Sequence, residues 1–274
     1  MAKCPICGSE YGTRIAHKDR YGFDATFTLC HRCSLIYLDP VASEEEYAKF
    51  YDGDYRKLTV DYRGQQDIEK NQCRYGAALA QFIGHTIGRV KSVLDIGGST
   101  GLVAKQIEIL NPGVDITVVE YNSKELAKAR AMGFRTIQGG IAEIPDEHFD
   151  LVLLCRSIDH VAKPLHAMTA IWRTINDDGY AYVDHCDWRL VAQAEGFTKA
   201  LHIDHPSNFT RESFNRLLSY SGLFPVAEYV PPMSSCYGYL LRRGFLKHSH
   251  YQSDLLADIR SFQAEERKCQ KSAY

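Results

Sequence analysis

Three groups of residues in this 274-residue sequence have the types and spacing for chemistry. The first is two cysteine pairs, Cys4-x2-Cys7 and Cys30-x2-Cys33. Each pair fits a tight turn that points both thiolates at one place, and two such turns supply the four sulfurs of a tetrahedral Zn²⁺ site. Four protein ligands leave no open position, so this zinc is structural. The competing reading, a redox Cys-x-x-Cys, usually appears singly beside a βαβ unit. The second group is the stretch from Val93 to Gly101, an apolar run that ends in Asp95 and a glycine-rich loop before a helical pattern. Glycines there let backbone approach a ligand closely. The third group is His160, after a later apolar run, together with residues 202–210, which include Asp204 and His205. Imidazole titrates near neutral pH and suits a general base, and a neighbouring carboxylate can orient or tune it. The alternatives are that His160 only shapes its loop and that 202–210 is a surface turn serving helix entry.

These residues need elements to hold them. Ser92–Ile96, Asp115–Val119, Arg135–Gln138, 150–155 and 180–184 read as short buried strands. Between them, Leu102–Leu110, 123–132 and 164–175 read as helices, with Ser123 as a cap, Gly133 just past one end and a turn at Asp177-Asp178-Gly179. Thr210 caps a helix through Ser221, and 223–230 with 236–242 could form an antiparallel hairpin at the sheet edge. Strands alternating with helices imply an α/β fold with a parallel sheet covered on both faces. The chain divides into a Cys-rich lobe (1–40), a Tyr-rich linker and helix (41–88), the α/β domain (89–243) and a charged tail (244–274), helical from about 252 to 267. Tyr51, Tyr55 and Tyr62 either line a cleft between lobes or pack them together.

The glycine loop fails the dinucleotide fingerprint by one residue, because Ile96 stands where G-x-G-x-x-G needs its first glycine. Asp95-x-Gly97-x-x-x-Gly101 instead resembles the first motif of class I S-adenosylmethionine (SAM) dependent methyltransferases, with Ser99 in place of the middle glycine. The resemblance extends in order along the chain. It covers Glu120 and Tyr121 at the end of the second strand, Gly139 to Pro145 after the third, the fourth strand from Phe149, and Asp178-Gly179-Tyr180. It implies a Rossmann-like methyltransferase fold with SAM as cofactor, held by Asp95, Gly97, Gly98, Gly101, Glu120, Tyr121, Gly140, Ile141 and Arg156. A carboxylate at Glu120 can accept two hydrogen bonds from a vicinal diol, as ribose binding requires. Many relatives carry Asp where Gly140 stands.

The Cys lobe, the Cys33-x-Leu35-Ile36-Tyr37-x-Asp39-Pro40 segment and the Tyr-rich stretch narrow the resemblance to sugar C-methyltransferases acting on nucleotide-linked keto-sugars. That family implies Asp204 with His205, or His160, as the catalytic base. The family also has a further C-terminal domain, where only a short tail is expected here, and a tyrosine at the position of His202. The resemblance implies a small-molecule substrate: a nucleotide sugar, a glycan unit or another small metabolite. An RNA methyltransferase is the competing class. Against it, Lys3, Arg14, Lys18, Arg20 and Arg32 in residues 1–40 face Glu10, Asp19, Asp24 and Asp39, and the formal net charge is −2, whereas phosphate binding needs a net positive face. A non-catalytic SAM-binding protein is the third. No apolar run approaches membrane-spanning length and no signal segment opens the chain, so a cytoplasmic protein without a membrane partner is expected. The remaining cysteines, Cys73, Cys155, Cys186, Cys236 and Cys269, read as free thiols.

Overall fold

The computed structural model describes residues 2–231, 235–244 and 255–272. Its first three strands, β1 (Gly12–Lys18), β2 (Asp24–Cys30) and β3 (Ile36–Leu38), are followed by helices α1 (Glu44–Arg63) and α2 (Gln65–Ile87). Then come β4 (Ser92–Ile96), α3 (Leu102–Leu110), β5 (Asp115–Glu120), α4 (Ser123–Ala131), β6 (Arg135–Gln138), β7 (Phe149–Leu154), α5 (Pro164–Thr174) and β8 (Ile175–Cys186). The chain continues through α6 (Trp188–Glu195), β9 (Ser207–Asn208), α7 (Arg211–Ser221), β10 (Leu223–Tyr229), β11 (Cys236–Arg243) and α8 (Leu255–Ser272).

The seven-stranded sheet has the order β10-β11-β8-β7-β4-β5-β6. Its β8-to-β6 portion is parallel, and β10-β11 is the expected antiparallel hairpin at one edge. The near-continuous apolar runs follow from burial on both faces. Along β7, Val152 and Leu154 pack with α5 and α7, whereas Leu151 and Leu153 pack with α2, α3 and α4. The chain runs outward from β4 through β5 to β6, then crosses back to β7. That reversal opens a crevice beyond the carboxyl ends of β4 and β7, where open α/β sheets bind ligands.

The second sheet, β1-β2-β3-β9, takes its last strand from residues far along the chain. Ile36 and Tyr37 pair with Asn208 and Ser207. The cysteine-bearing residues therefore share a core with the α/β layer: Cys4, Ile6, Cys30, Cys33 and Leu35 belong to one apolar cluster with Ile96, Leu154, Ile158 and Phe209. Helix α8 closes the other side, burying Leu255 and Ile259 with Ile15, Phe27, Trp188 and Phe197. Its Glu266 accepts from Thr198, and Gln263 donates to the Ile15 carbonyl.

Several local readings change. Helix α4 is capped by Asn122 rather than Ser123: the Asn122 side chain accepts from the Lys124 and Glu125 amides. Asn caps as well as Ser, and here it lies one residue earlier. Asp177-Asp178-Gly179 does not interrupt the fifth parallel strand. Ile175 pairs with Phe149 and Tyr180 with Leu151, so the intervening residues form a bulge, with Asp177 paired to Arg243 and Asp178 to Arg242. Residues 44–63, read as linker, are helical. The tail helix begins at Leu255 and runs to Ser272, so residues 252–254 of that expectation lie outside the described residues.

Candidate active site and thiol centre

The four N-terminal thiols converge. Two backbone turns present them, with the Gly8 amide donating to the Cys4 carbonyl and the Ser34 amide to the Cys30 carbonyl, each at 2.9 Å. Cys4 and Cys33 sulfurs are 3.4 Å apart, Cys7 and Cys30 3.5 Å, and all four lie within 4.8 Å of one another. A tetrahedron with metal–sulfur bonds of about 2.3 Å has edges of about 3.8 Å. The donor set fits such an ion. Hydrogen bonds within the set lower the Cys30 and Cys7 thiols and raise those of Cys33 and Cys4, so the four sulfurs act as one coupled group.

The glycine loop sits over a buried acid. Asp95 is 1% exposed, and neither carboxylate oxygen has a hydrogen-bond partner among the described residues. Burial, assisted by the nearby charge of Glu120, pushes it up to about 7. The loop must pass close above it: a Cβ on Gly98 would stand 2.7 Å from the Asp95 carboxylate and 2.8 Å from Val118. Gly97 and Gly101 have φ of +67° and +78°, and Ser99 shares this left-handed backbone at +51°. Glu120, at the end of β5, ties the loop to its strand: Oε2 accepts from the Ser99 amide and Oε1 from the Asn122 amide, both at 2.9 Å. A carboxylate oxygen can accept more than one hydrogen bond, the chemistry a vicinal diol needs. Ser99 Oγ donates to Glu125 at 2.7 Å and accepts from Gln72 on α2 at 3.2 Å.

Gly140 has a specific steric role. A Cβ there would fall 2.3 Å from the Tyr121 hydroxyl oxygen, so an aspartate at this position and the present Tyr121 orientation exclude each other. Across the crevice, Arg156 (φ +51°) donates its amide to buried Asp184 at 2.6 Å, and its guanidinium pairs with the same carboxylate at 3.1 Å. It also stacks on Tyr75, whose hydroxyl donates to Asp184 at 2.8 Å.

The third group also converges, and it recruits more than the sequence named. Asp204 lies within 3.6–3.9 Å of His202 Nδ1, His205 Nε2 and His160 Nδ1 through its carboxylate oxygens. Burial works against its ionisation, whereas the hydrogen bond from His202 favours it and leaves its pKa below the usual carboxylate range. His160 Nδ1 is 2.9 Å from the Asp204 carbonyl oxygen, an arrangement that makes Nδ1 the protonated nitrogen and leaves the lone pair on Nε2. Burial lowers the pKa of His160 and, more strongly, that of His205. The Tyr51 hydroxyl reaches the Asp204 carbonyl at 3.0 Å and lies 3.1 Å from His160 Nδ1. His202 stacks on His205 with centroids 4.4 Å apart and meets Arg20 at 2.8 Å.

One cavity of about 850 Å³ joins these groups. Gly97, Glu120, Tyr121, Gly140, Ile141 and Arg156 line one side, and Tyr51, His160, His202, Asp204 and His205 the other. Asp95 lies beneath the loop and Gly98 and Gly101 within it, and all three shape it without lining the cavity. Tyr55 is part of the wall, whereas the Tyr62 side chain lies outside the described residues. Arg20, Gln72, Tyr75 and Asp184 were not singled out from sequence. Only Asp184 had a local signal, as the polar end of a buried strand.

A family model described as a methyltransferase domain matches residues 68–228, and the chain belongs to that family. The chain is thus a methyltransferase on a class I, Rossmann-like fold. The particular relatives among solved structures are distant and agree on architecture. The plantazolicin methyltransferase BpumL, solved with S-adenosylhomocysteine (SAH), is 12% identical, with a TM-score of 0.57 over 73% of this chain and 95% of that one. The mitomycin 7-O-methyltransferase MmcR is 17% identical, with a TM-score of 0.56 over 72% of this chain and 60% of that one. CalO1, a methyltransferase of calicheamicin biosynthesis in its SAH-bound form, is 16% identical, with a TM-score of 0.53 over 72% of this chain and 60% of that one. A search of curated protein sequences returned no match. Among the described residues no helix is long and apolar enough to cross a membrane.

Proposed function

We propose that the chain transfers the SAM methyl group to a small molecule, with a nucleotide-linked sugar or a related glycan or natural-product precursor as substrate. The observation that carries this reading is the shared cavity: the Glu120 side and the His160–Asp204–His205 side open onto the same space. Glu120 takes the ribose diol, Tyr121, Gly140 and Ile141 border the adenine, and Arg156 with Gly97 borders the methionine part. SAM supplies an activated methyl carbon. The protein then has to align a nucleophile with it and accept the proton the nucleophile loses. His160 is the better-suited base, because Nε2 carries its lone pair and burial keeps the ring neutral near pH 7. Asp204 and His205 hold that ring and its electrostatic surroundings. The SAH-bound state of several similar structures supports the cofactor reading.

In the same reading Cys4, Cys7, Cys30 and Cys33 hold one structural Zn²⁺ in residues 1–40, which reach the cavity wall through Arg20 and Tyr21. The test is incubation with isotope-labelled SAM and a panel of nucleotide-linked keto-sugars and extract fractions, with mass spectrometry of the products. A labelled sugar nucleotide is expected, and the position of its methyl distinguishes C- from O-transfer. Methylation confined to RNA, or no transfer to any fraction, overturns the proposal.

A further inference from the structure

Cys186 and Cys236 were read from sequence as isolated free thiols, but the fold makes them a pair. They face each other across the antiparallel β8-β11 ladder. At the next position the Asp187 amide donates to the Ser235 carbonyl at 2.6 Å, which makes 187/235 the hydrogen-bonded pair. Antiparallel pairs alternate, so 186/236 is the non-hydrogen-bonded kind, where opposed Cα atoms stand about 4.5 Å apart and side chains lie closest. The Cys186 amide accordingly leaves the ladder and donates to buried Asp159 at 3.1 Å. That Cα separation falls in the range a disulfide spans, about 4.4–6.8 Å. The two sulfurs are already 2.7 Å apart.

The setting is equally specific. Both residues border the large cavity, and Cys186 is the more exposed of the two, with Cys236 buried behind it. Arg156 Nη1 lies 2.9 Å from the Cys236 sulfur and 3.9 Å from that of Cys186, offering a positive charge to whichever thiolate forms. The hydrogen the two sulfurs share, together with burial, raises the Cys186 thiol, which protects the reduced pair from indiscriminate oxidation. These sulfurs differ in kind from the N-terminal four, which converge as a closed tetrahedral set.

We propose that Cys186 and Cys236 are a reversible thiol–disulfide couple in the cavity wall, oxidised by a low-molecular-weight disulfide of the glutathione class. One thiolate attacks glutathione disulfide, forming a mixed disulfide and releasing the first glutathione. The second thiolate attacks the protein sulfur of that mixed disulfide, forming the Cys186–Cys236 bond and releasing the second glutathione. Two electrons leave the protein, and its two thiol protons end on the two released glutathione thiols. The inference stands apart from the methyl-transfer reading, since it is read from sulfur linkage and needs no turnover.

The test treats the zinc-loaded full chain with millimolar glutathione disulfide, blocks free thiols with iodoacetamide, and maps peptides without reduction. A single peptide pair joining Cys186 to Cys236 is expected, lost after dithiothreitol and absent from both C186S and C236S. Thermal melting of the two variants checks that each is folded, and the wild-type map decides the question even if one is not. Separate glutathione adducts at these positions without a link, a link from either to Cys155, or no oxidation of the pair would each overturn the proposal.

Discussion

The two sides of the cavity are built in opposite ways. The heart of the Glu120 side comes from one short continuous stretch, β4–loop–α3–β5, where Asp95, Gly98, Ser99 and Glu120 are fixed by neighbouring backbone, with Gly140, Ile141 and Arg156 added from the ends of β6 and β7. The histidine side is assembled from four distant pieces: Arg20 between β1 and β2, Tyr51 on α1, His160 after β7, and residues 202–205 before β9. A site made by local backbone keeps its shape when a side chain is trimmed. A site made by distant side chains depends on each of them. Substitutions on the histidine side should therefore change turnover, and those on the loop side should change binding or pH-dependent stability.

The largest effect is expected at the base. His160→Gln should lower kcat by about 10²–10⁴-fold while SAH affinity by calorimetry changes less than about twofold, a fraction of the ~1.4 kcal/mol that a tenfold change represents. An equal loss in affinity would place His160 in the cofactor half instead. Next comes the thiol centre. Zinc removal by a chelator, or Cys30→Ser, should cost about 3–5 kcal/mol, the scale of losing a structural metal. The melting temperature would then fall by roughly 10 °C, with one zinc per chain measured by atomic absorption beforehand. Much of the surrounding core belongs to the α/β layer, so the methyltransferase domain should stay folded in circular dichroism.

A smaller effect is expected from Asp95. Its folded pKa, raised to about 7 by burial, means the folded state holds a proton that the unfolded state has already lost. Stability should therefore fall as pH rises from about 4 to 7 and level off above, by about 4 kcal/mol across that window. Asp95→Asn should flatten this slope in denaturant titrations, and an unchanged slope would contradict the assignment. The smallest is Tyr51→Phe. Loss of one hydroxyl that bridges toward His160 and the Asp204 carbonyl should cost about 1 kcal/mol of positioning. This would be read as a roughly fivefold lower kcat at unchanged SAH affinity.

The same contrast explains what was legible in the sequence. The Asp95–Gly101 loop, the acid at Glu120 and the order of β4 to β8 could be read because short-range pattern determines them: apolar runs, glycine positions and stop signals. His160 and the 202–210 segment were visible as residue types, but their meeting was not, because only the topology brings β9 beside β3. Arg20 carried no signal for the same reason, and Tyr51 stood out only as one of three tyrosines that line or pack a cleft, not as a partner of His160. Helix α1 was obscured by tyrosines and a glycine, which lower helix propensity; its Tyr47 is nevertheless buried. Strand β8 was cut short because Asp177-Asp178-Gly179 has turn chemistry that a bulge also uses. Glycine rather than aspartate at residue 140 has a structural reason in the ring of Tyr121.

The central claim is that Glu120 and the glycine loop form a SAM site. Isothermal calorimetry of SAH against wild type and Glu120→Ala tests it most directly, since two carboxylate hydrogen bonds to a diol are worth more than about 1.4 kcal/mol. The account predicts at least a tenfold weaker dissociation constant for the variant, with the fold retained. Equal affinity in the two proteins would contradict it.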